Sequence, residues 1–152
     1  MIDRSSLSGL INTRERLAAK AQPLLEPGEV VAHVIRAQEG PNKFIGMGIG
    51  MFVAFGLALL LRIPFLALPV FLLVNTRLYA RRVILATDEA LVVAAGGRFR
   101  YTPRTVLDRL DLETRIGPLK GLWLSTTLNG RRLYVPPRCA RDVAAADADL
   151  DA

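Results

Sequence analysis

The chain has 152 residues, 51% of them hydrophobic, a single cysteine and a formal charge of +6. That length leaves room for one ordinary domain, so two independent soluble domains are not expected. Cys139 has no partner for an internal disulfide and stands outside any CxxC pair, which removes the usual zinc and redox readings.

The first residues, Met1 to Ser8, include Asp3, Arg4 and several serines and lack an apolar core, so no cleavable secretory signal is expected. Leu7, Leu10, Ile11, Leu17, Ala18, Ala21 and Leu24 recur at spacings of three and four, with Arg14, Glu15, Arg16 and Lys20 between them. This predicts an amphipathic helix ending near Pro23. The mixed charge of its polar face favours docking on the rest of the protein over lying on a bilayer. Glu26-Pro27-Gly28 then reads as a turn, and Val30 to Ala37 as a strand.

From Phe44 to Val74 the only charged residue is Arg62. A single helix over this run would be about 46 Å long against a hydrocarbon core of about 30 Å. It would also hold Arg62 inside the bilayer at a cost of about 2.5 to 3.5 kcal/mol. A hairpin avoids both: a first helix from Phe44 to Leu61, a turn at Leu61-Arg62-Ile63, and a second helix opening on Pro64, where proline is favoured. Pro69 is expected to kink the second helix. Gly46, Gly50, Ala54 and Ala58 recur every four residues and make a helix-packing face. Packing within the hairpin is its first expected use, and a homo-oligomer through the first helix is the alternative.

Short strands follow. Val83 to Thr87 and Leu91 to Ala95 flank Asp88-Glu89 as a hairpin, and Gly96-Gly97 turns the chain into a strand over Arg98 to Thr102. Val106, Leu110 and Leu112 alternate with acids, and Gly117-Pro118 ends that strand. Leu122, Leu124, Thr126 and Leu128 form another alternating face, and Asn129-Gly130 is a strong hairpin signal into Arg131 to Val135. After Pro136-Pro137 the spacing of Cys139, Val143, Ala146 and Leu150 predicts a closing helix.

The segments GEVVAHVIRAQ, RRVILATDEALVVAAGGRFRYTPRTVLDRL and GLWLSTTLNGRRLYVPP, with the closing helix, resemble the bacterial pleckstrin-homology (PH)-like domains, particularly small membrane proteins of GC-rich bacteria. The resemblance implies a membrane-anchored, mainly β fold: a PH-like seven-stranded antiparallel barrel or sandwich closed by a C-terminal helix. Residues 1–43 would supply the amphipathic helix and first strand, 44–80 a transmembrane hairpin, and 81–152 the remainder. Strands before and after the hairpin share one sheet in this fold, so an even number of membrane crossings is required.

Between Arg77 and Arg141 stand thirteen basic residues against five acids, a field that draws anionic partners. Arg77, Arg81 and Arg82, just past the second helix, fit the positive-inside rule and are the candidate anionic-lipid contacts. Arg98, Arg100 and Arg104, and Arg131, Arg132 and Arg138, are weaker strips. His33 has no evident partner for metal or acid–base work, and Trp123 and Tyr101 are candidate interfacial anchors. No phosphate loop, HExxH, nucleophile elbow or paired carboxylates appear, so no catalytic residue, metal or cofactor is expected and the chain does not read as an enzyme. The expected role is a membrane-tethered PH-like interaction module at the cytoplasmic face of a bacterial inner membrane. It would be multi-pass with both termini cytoplasmic, and would hold an anionic lipid or an unknown membrane or cytoplasmic protein. The rival is an accessory or regulatory subunit of a transporter or other membrane complex; nucleic acid is not an expected partner.

Overall fold

The β segments carry apolar side chains on both faces, and a computed structural model, which describes residues 15–98 and 100–149, shows why. Six strands, β1 (Val31–Glu39), β2 (Ala80–Thr87), β3 (Leu91–Gly96), β4 (Pro103–Leu110), β5 (Ser125–Leu128) and β6 (Arg131–Tyr134), form one antiparallel sheet in the order β4-β3-β2-β1-β6-β5. Ile35, Ala37, Ile84, Ala86, Leu91 and Val93 point to the concave side. There they meet Leu128, Leu133 and Val135, and helix α4 (Ala140–Asp149) closes the cluster with Val143 and Ala146. Leu150 of the predicted stripe lies outside the described residues.

The alternate residues Val34, Val83, Leu85 and Val92 point to the convex side. Helix α1, described over residues 15–21, covers them with Leu17 and Ala21. The amphipathic segment therefore docks on the sheet where it is described; Leu7, Leu10 and Ile11 lie outside the described residues. Covering both faces lets strands of almost continuous Val, Ile, Leu and Ala remain buried.

Two expectations about the sheet are corrected. Six strands, not seven, stand among the described residues, because β3 ends at Gly96 and β4 begins at Pro103, with the Gly97 N–H donating to Thr102 O at 3.0 Å between them. The sheet also curls without closing, since β4 and β5 remain as edges. Shifts of register in β1–β2 and β3–β4 add local twist. At one place the two ends touch: Asp108 of β4 accepts from Arg131 Nε at 2.6 Å and from Asn129 Nδ2 at 3.0 Å. Leu122 and Leu124 belong to a turn rather than a strand, with Gly121 at φ 72° and Leu124 at φ 45°. Asn129 (φ 47°) and Gly130 (φ 75°) make the tight β5–β6 turn, where positive φ is needed at both positions.

Between β1 and β2 stand two packed helices, α2 (Lys43–Leu60) and α3 (Ala67–Leu78), joined through a 3₁₀ turn at Pro64–Leu66. Asn42 caps α2 by accepting the Phe44 N–H at 3.0 Å. At the other end Ile63 N–H bonds Ala58 O and Arg62 N–H bonds Leu59 O, with Arg62 at φ 55°, the hydrogen-bond pattern that reverses a chain after a helix. Pro69 sits in the first turn of α3, where its missing N–H has no intrahelical acceptor to lose, so it requires no kink there. The interruption falls earlier, at the 3₁₀ turn.

Gly46, Gly50, Ala54 and Ala58 are the buried residues of α2. A Cβ on Gly50 would lie 2.8 Å from Asn75 Nδ2 and 3.2 Å from Phe71, so this face is filled by the chain's own α3. The outer surface is different: seventeen of the twenty-two exposed large hydrophobic side chains among the described residues lie between Phe44 and Leu73. Among those residues α2 is the one helix long and apolar enough to cross a membrane, and 64–78 is a shorter apolar helix.

Candidate functional site

Where the helices leave the sheet, the ends of β1, β2, α2 and α3 and the 121–124 turn surround a cavity of about 420 Å³. A second, of about 330 Å³, shares Gln38, Lys43 and Trp123 with it, and together they make one groove. Lys43 is the first residue of α2. Its Nζ donates to Gln38 Oε1 at 3.1 Å and lies 3.8 Å from the ring centre of Tyr79 and 5.0 Å from that of Tyr134. These two rings meet edge to face at 6.2 Å. The ammonium is thus held by two aromatic faces and an amide.

Arg81 points from the convex side of β2 into the same groove. Its guanidinium lies 5.4 Å from the ring centre of Tyr101, which Arg36 also approaches, at 5.6 Å. Tyr101 Oη accepts from Gln38 Nε2 at 3.4 Å, tying the two cations to one hydrogen-bonded frame. Arg98 adds a third basic side chain to the lining, and among the described residues no Asp or Glu lines either cavity. Along the hairpin the lining is Met47 on α2 and Phe71 and Leu72 on α3, together with Asn75 and Thr76, which donate to the Phe71 and Leu73 carbonyls of their own helix. Trp123, 43% exposed, and Leu122, 83% exposed, form a projecting apolar tip beside it.

The three arginines singled out from sequence do not form one cluster. Arg77 is exposed in the last turn of α3. Arg81 and Arg82 are neighbours on a strand and therefore face opposite ways. Arg82 Nε pairs with Glu39 at 2.6 Å, and Glu39 also accepts from Arg131, so Arg82 belongs to a four-residue network with Asp108 on the concave side. Arg131 is spent in the same network, while Arg100, Arg104, Arg132 and Arg138 are exposed. Tyr101 is a clamp for arginines rather than a free anchor. His33 has a partner that sequence spacing did not show: its Nε2 lies 2.6 Å from Asp149 Oδ2, joining β1 to α4.

Sequence reasoning missed Lys43 and Gln38, and it missed Glu29. Glu29, fully buried, accepts from Thr87 Oγ1, from the Glu26 N–H at 3.0 Å and from Arg109 at 3.0 Å. Burial pushes its carboxyl upward, but the hydrogen bonds from Thr87, Glu26 and Arg109 outweigh burial and hold it below the ordinary carboxylate value. This lock fixes the Glu26-Pro27-Gly28 turn to β2 and β4, at the end of β1 away from the helices. Among the described residues no group of His, Cys, Asp and Glu is placed to hold a metal ion. Comparison with protein-family models, curated proteins and solved structures finds no match to this chain.

Proposed function

We propose that this chain is a membrane-tethered PH-like interaction module, in which the α2–α3 hairpin crosses a bacterial inner membrane and the β domain works at its cytoplasmic face. The apolar outer surface of the hairpin carries this reading, because the small residues that pack the helices together face inward and the large ones face out. Such a surface is costly in water and ordinary in lipid. At 18 residues α2 spans about 27 Å, close to the hydrocarbon thickness. The 3₁₀ turn with α3 spans about 24 Å, a match that modest thinning or snorkelling accommodates.

Strand pairing supports the topology. β1 and β2 are hydrogen-bonded neighbours from Val31↔Thr87 to Glu39↔Ala80, so the chain must return to the side it left. The curled sheet with α4 over its concave cluster supports the PH-like reading, although with six strands. The aromatic and basic groove then lies at headgroup depth, where a tethered domain meets anionic lipid.

Cysteine labelling tests this reading. In a Cys139→Ser background, Arg62→Cys is expected to react with an impermeant maleimide on intact spheroplasts, and Asn129→Cys only after lysis. A protein washed off membranes at high pH, or an Arg62→Cys reached only from the cytoplasmic side, would remove the two-crossing anchor.

A further inference from the structure

Accepting the membrane placement above, we infer that the groove at the foot of the hairpin seats one anionic phospholipid, its phosphate on Lys43 and Arg81 and an acyl chain along Met47, Phe71 and Leu72. The groove changes character along its length. Lys43 and Met47 are one helical turn apart on α2, about 6 Å, so a ligand filling both ends must carry charge and hydrocarbon within that distance. A phospholipid does.

The charged end selects for an anion. Among the described residues no carboxylate lines it, and the acid on β1, Glu39, is engaged by Arg82 and Arg131 on the other face of the sheet. Lys43 gives one donor to Gln38 and has two more. Arg81 has its guanidinium 5.4 Å from the ring centre of Tyr101 and no carboxylate partner among the described residues, which leaves its N–H donors to a phosphate. A choline headgroup fits poorly, because Tyr79 and Tyr134, the rings that would receive it, already hold the Lys43 ammonium. The phosphate chemistry is shared with soluble phosphate; the apolar floor favours the lipid.

Trp123 lines both halves of the groove and is the only tryptophan, so its fluorescence reports this place alone. The test uses full-length protein in phosphatidylcholine vesicles containing small equal fractions of either phosphatidylglycerol or phosphatidylcholine brominated on the acyl chain. Brominated phosphatidylglycerol is expected to quench Trp123 several-fold more effectively. Lys43→Gln and Arg81→Gln should each weaken the preference about fivefold, the scale of one cation near an anionic headgroup. Arg81→Lys should restore much of it, and Arg132→Gln, on an exposed strand position, should leave it unchanged.

Equal quenching by the two lipids would overturn the site, as would an Arg132→Gln loss as large as that of Arg81→Gln. Reversal of the preference by inorganic phosphate would assign the groove to a soluble phosphate and overturn the lipid. Should Arg81→Gln fail to melt cooperatively, Lys43→Gln carries the test. A chain that does not enter vesicles at all sinks the membrane reading, whereas an inserted chain without preference sinks only the site.

Discussion

Glu29→Ala is expected to destabilise the β domain by about 2 kcal/mol, the scale for leaving buried donors without an acceptor. The side chain has no solvent exposure, and its removal strands the Glu26 N–H, deprives Arg109 of its closest anion and leaves the Thr87 hydroxyl only Ala90 O, at 2.8 Å, to donate to. The effect depends on pH in a definite direction. Because the folded carboxyl titrates below its ordinary value of 4.5, its contribution is fully present above that pH and is lost as pH falls through the lower folded value. Glu29→Gln keeps the shape and can still accept from Thr87, so it should cost less than the alanine and remove this part of the acid sensitivity. Thermal melts of the full chain in detergent, followed by Trp123 fluorescence from neutral pH down to about pH 3, give the comparison. Identical acid profiles for the wild type and Glu29→Gln would show that the carboxylate does not stabilise the fold as a charge.

Local pattern carried most of the architecture into the sequence. The hairpin turn at Arg62 was legible because one charge and one proline interrupt an otherwise apolar run, and both mark a place where a helix stops. Asn129-Gly130 was legible because few residue pairs accept positive φ twice in succession. The break between β3 and β4 was not. Alternating Arg, Phe, Arg and Tyr satisfies a strand pattern equally well, and the Gly97 to Thr102 bond between β3 and β4 has no signature in that pattern.

The groove was harder still to see, for reasons of distance. Arg77, Arg81 and Arg82 are close in sequence, but strand alternation sends Arg82 to the concave face, where Glu39 and Arg131 await it. Lys43 meets Tyr79 from across the whole hairpin, and Trp123 joins them from a turn eighty residues downstream of Lys43. A signal did exist. Lys43 directly follows the cap residue Asn42 at the start of the first apolar helix, and Tyr79 directly follows the end of the second. In an antiparallel pair those two positions must be neighbours.

That neighbourhood also makes the hairpin and the groove one mechanical unit, and substitutions at two glycines of the same helix are expected to show it with opposite signs. A Cβ on Gly46 would stand 2.0 Å from Tyr79 Oη and 2.8 Å from Cζ, whereas a Cβ on Gly48 would meet nothing within 4 Å. Gly48→Ala should therefore be neutral or stabilise α2 by up to about 1 kcal/mol through helix propensity alone. Gly46→Ala gains the same propensity but must displace the tyrosine, an overpacking cost of about 1 to 3 kcal/mol. Tyr79 Oη is also the one buried side-chain polar atom without a hydrogen-bond partner among the described residues, so deleting it costs no bond. Tyr79→Phe is accordingly expected to be tolerated alone and to recover part of the loss when combined with Gly46→Ala. Stability of the wild type, Gly46→Ala, Tyr79→Phe and their combination in detergent closes a double-mutant cycle with a favourable coupling between the two sites. Additive effects would mean that α2 and Tyr79 do not meet as described. Because the same ring holds Lys43, Gly46→Ala should also weaken the preference of Trp123 quenching for brominated phosphatidylglycerol, while Gly48→Ala should not.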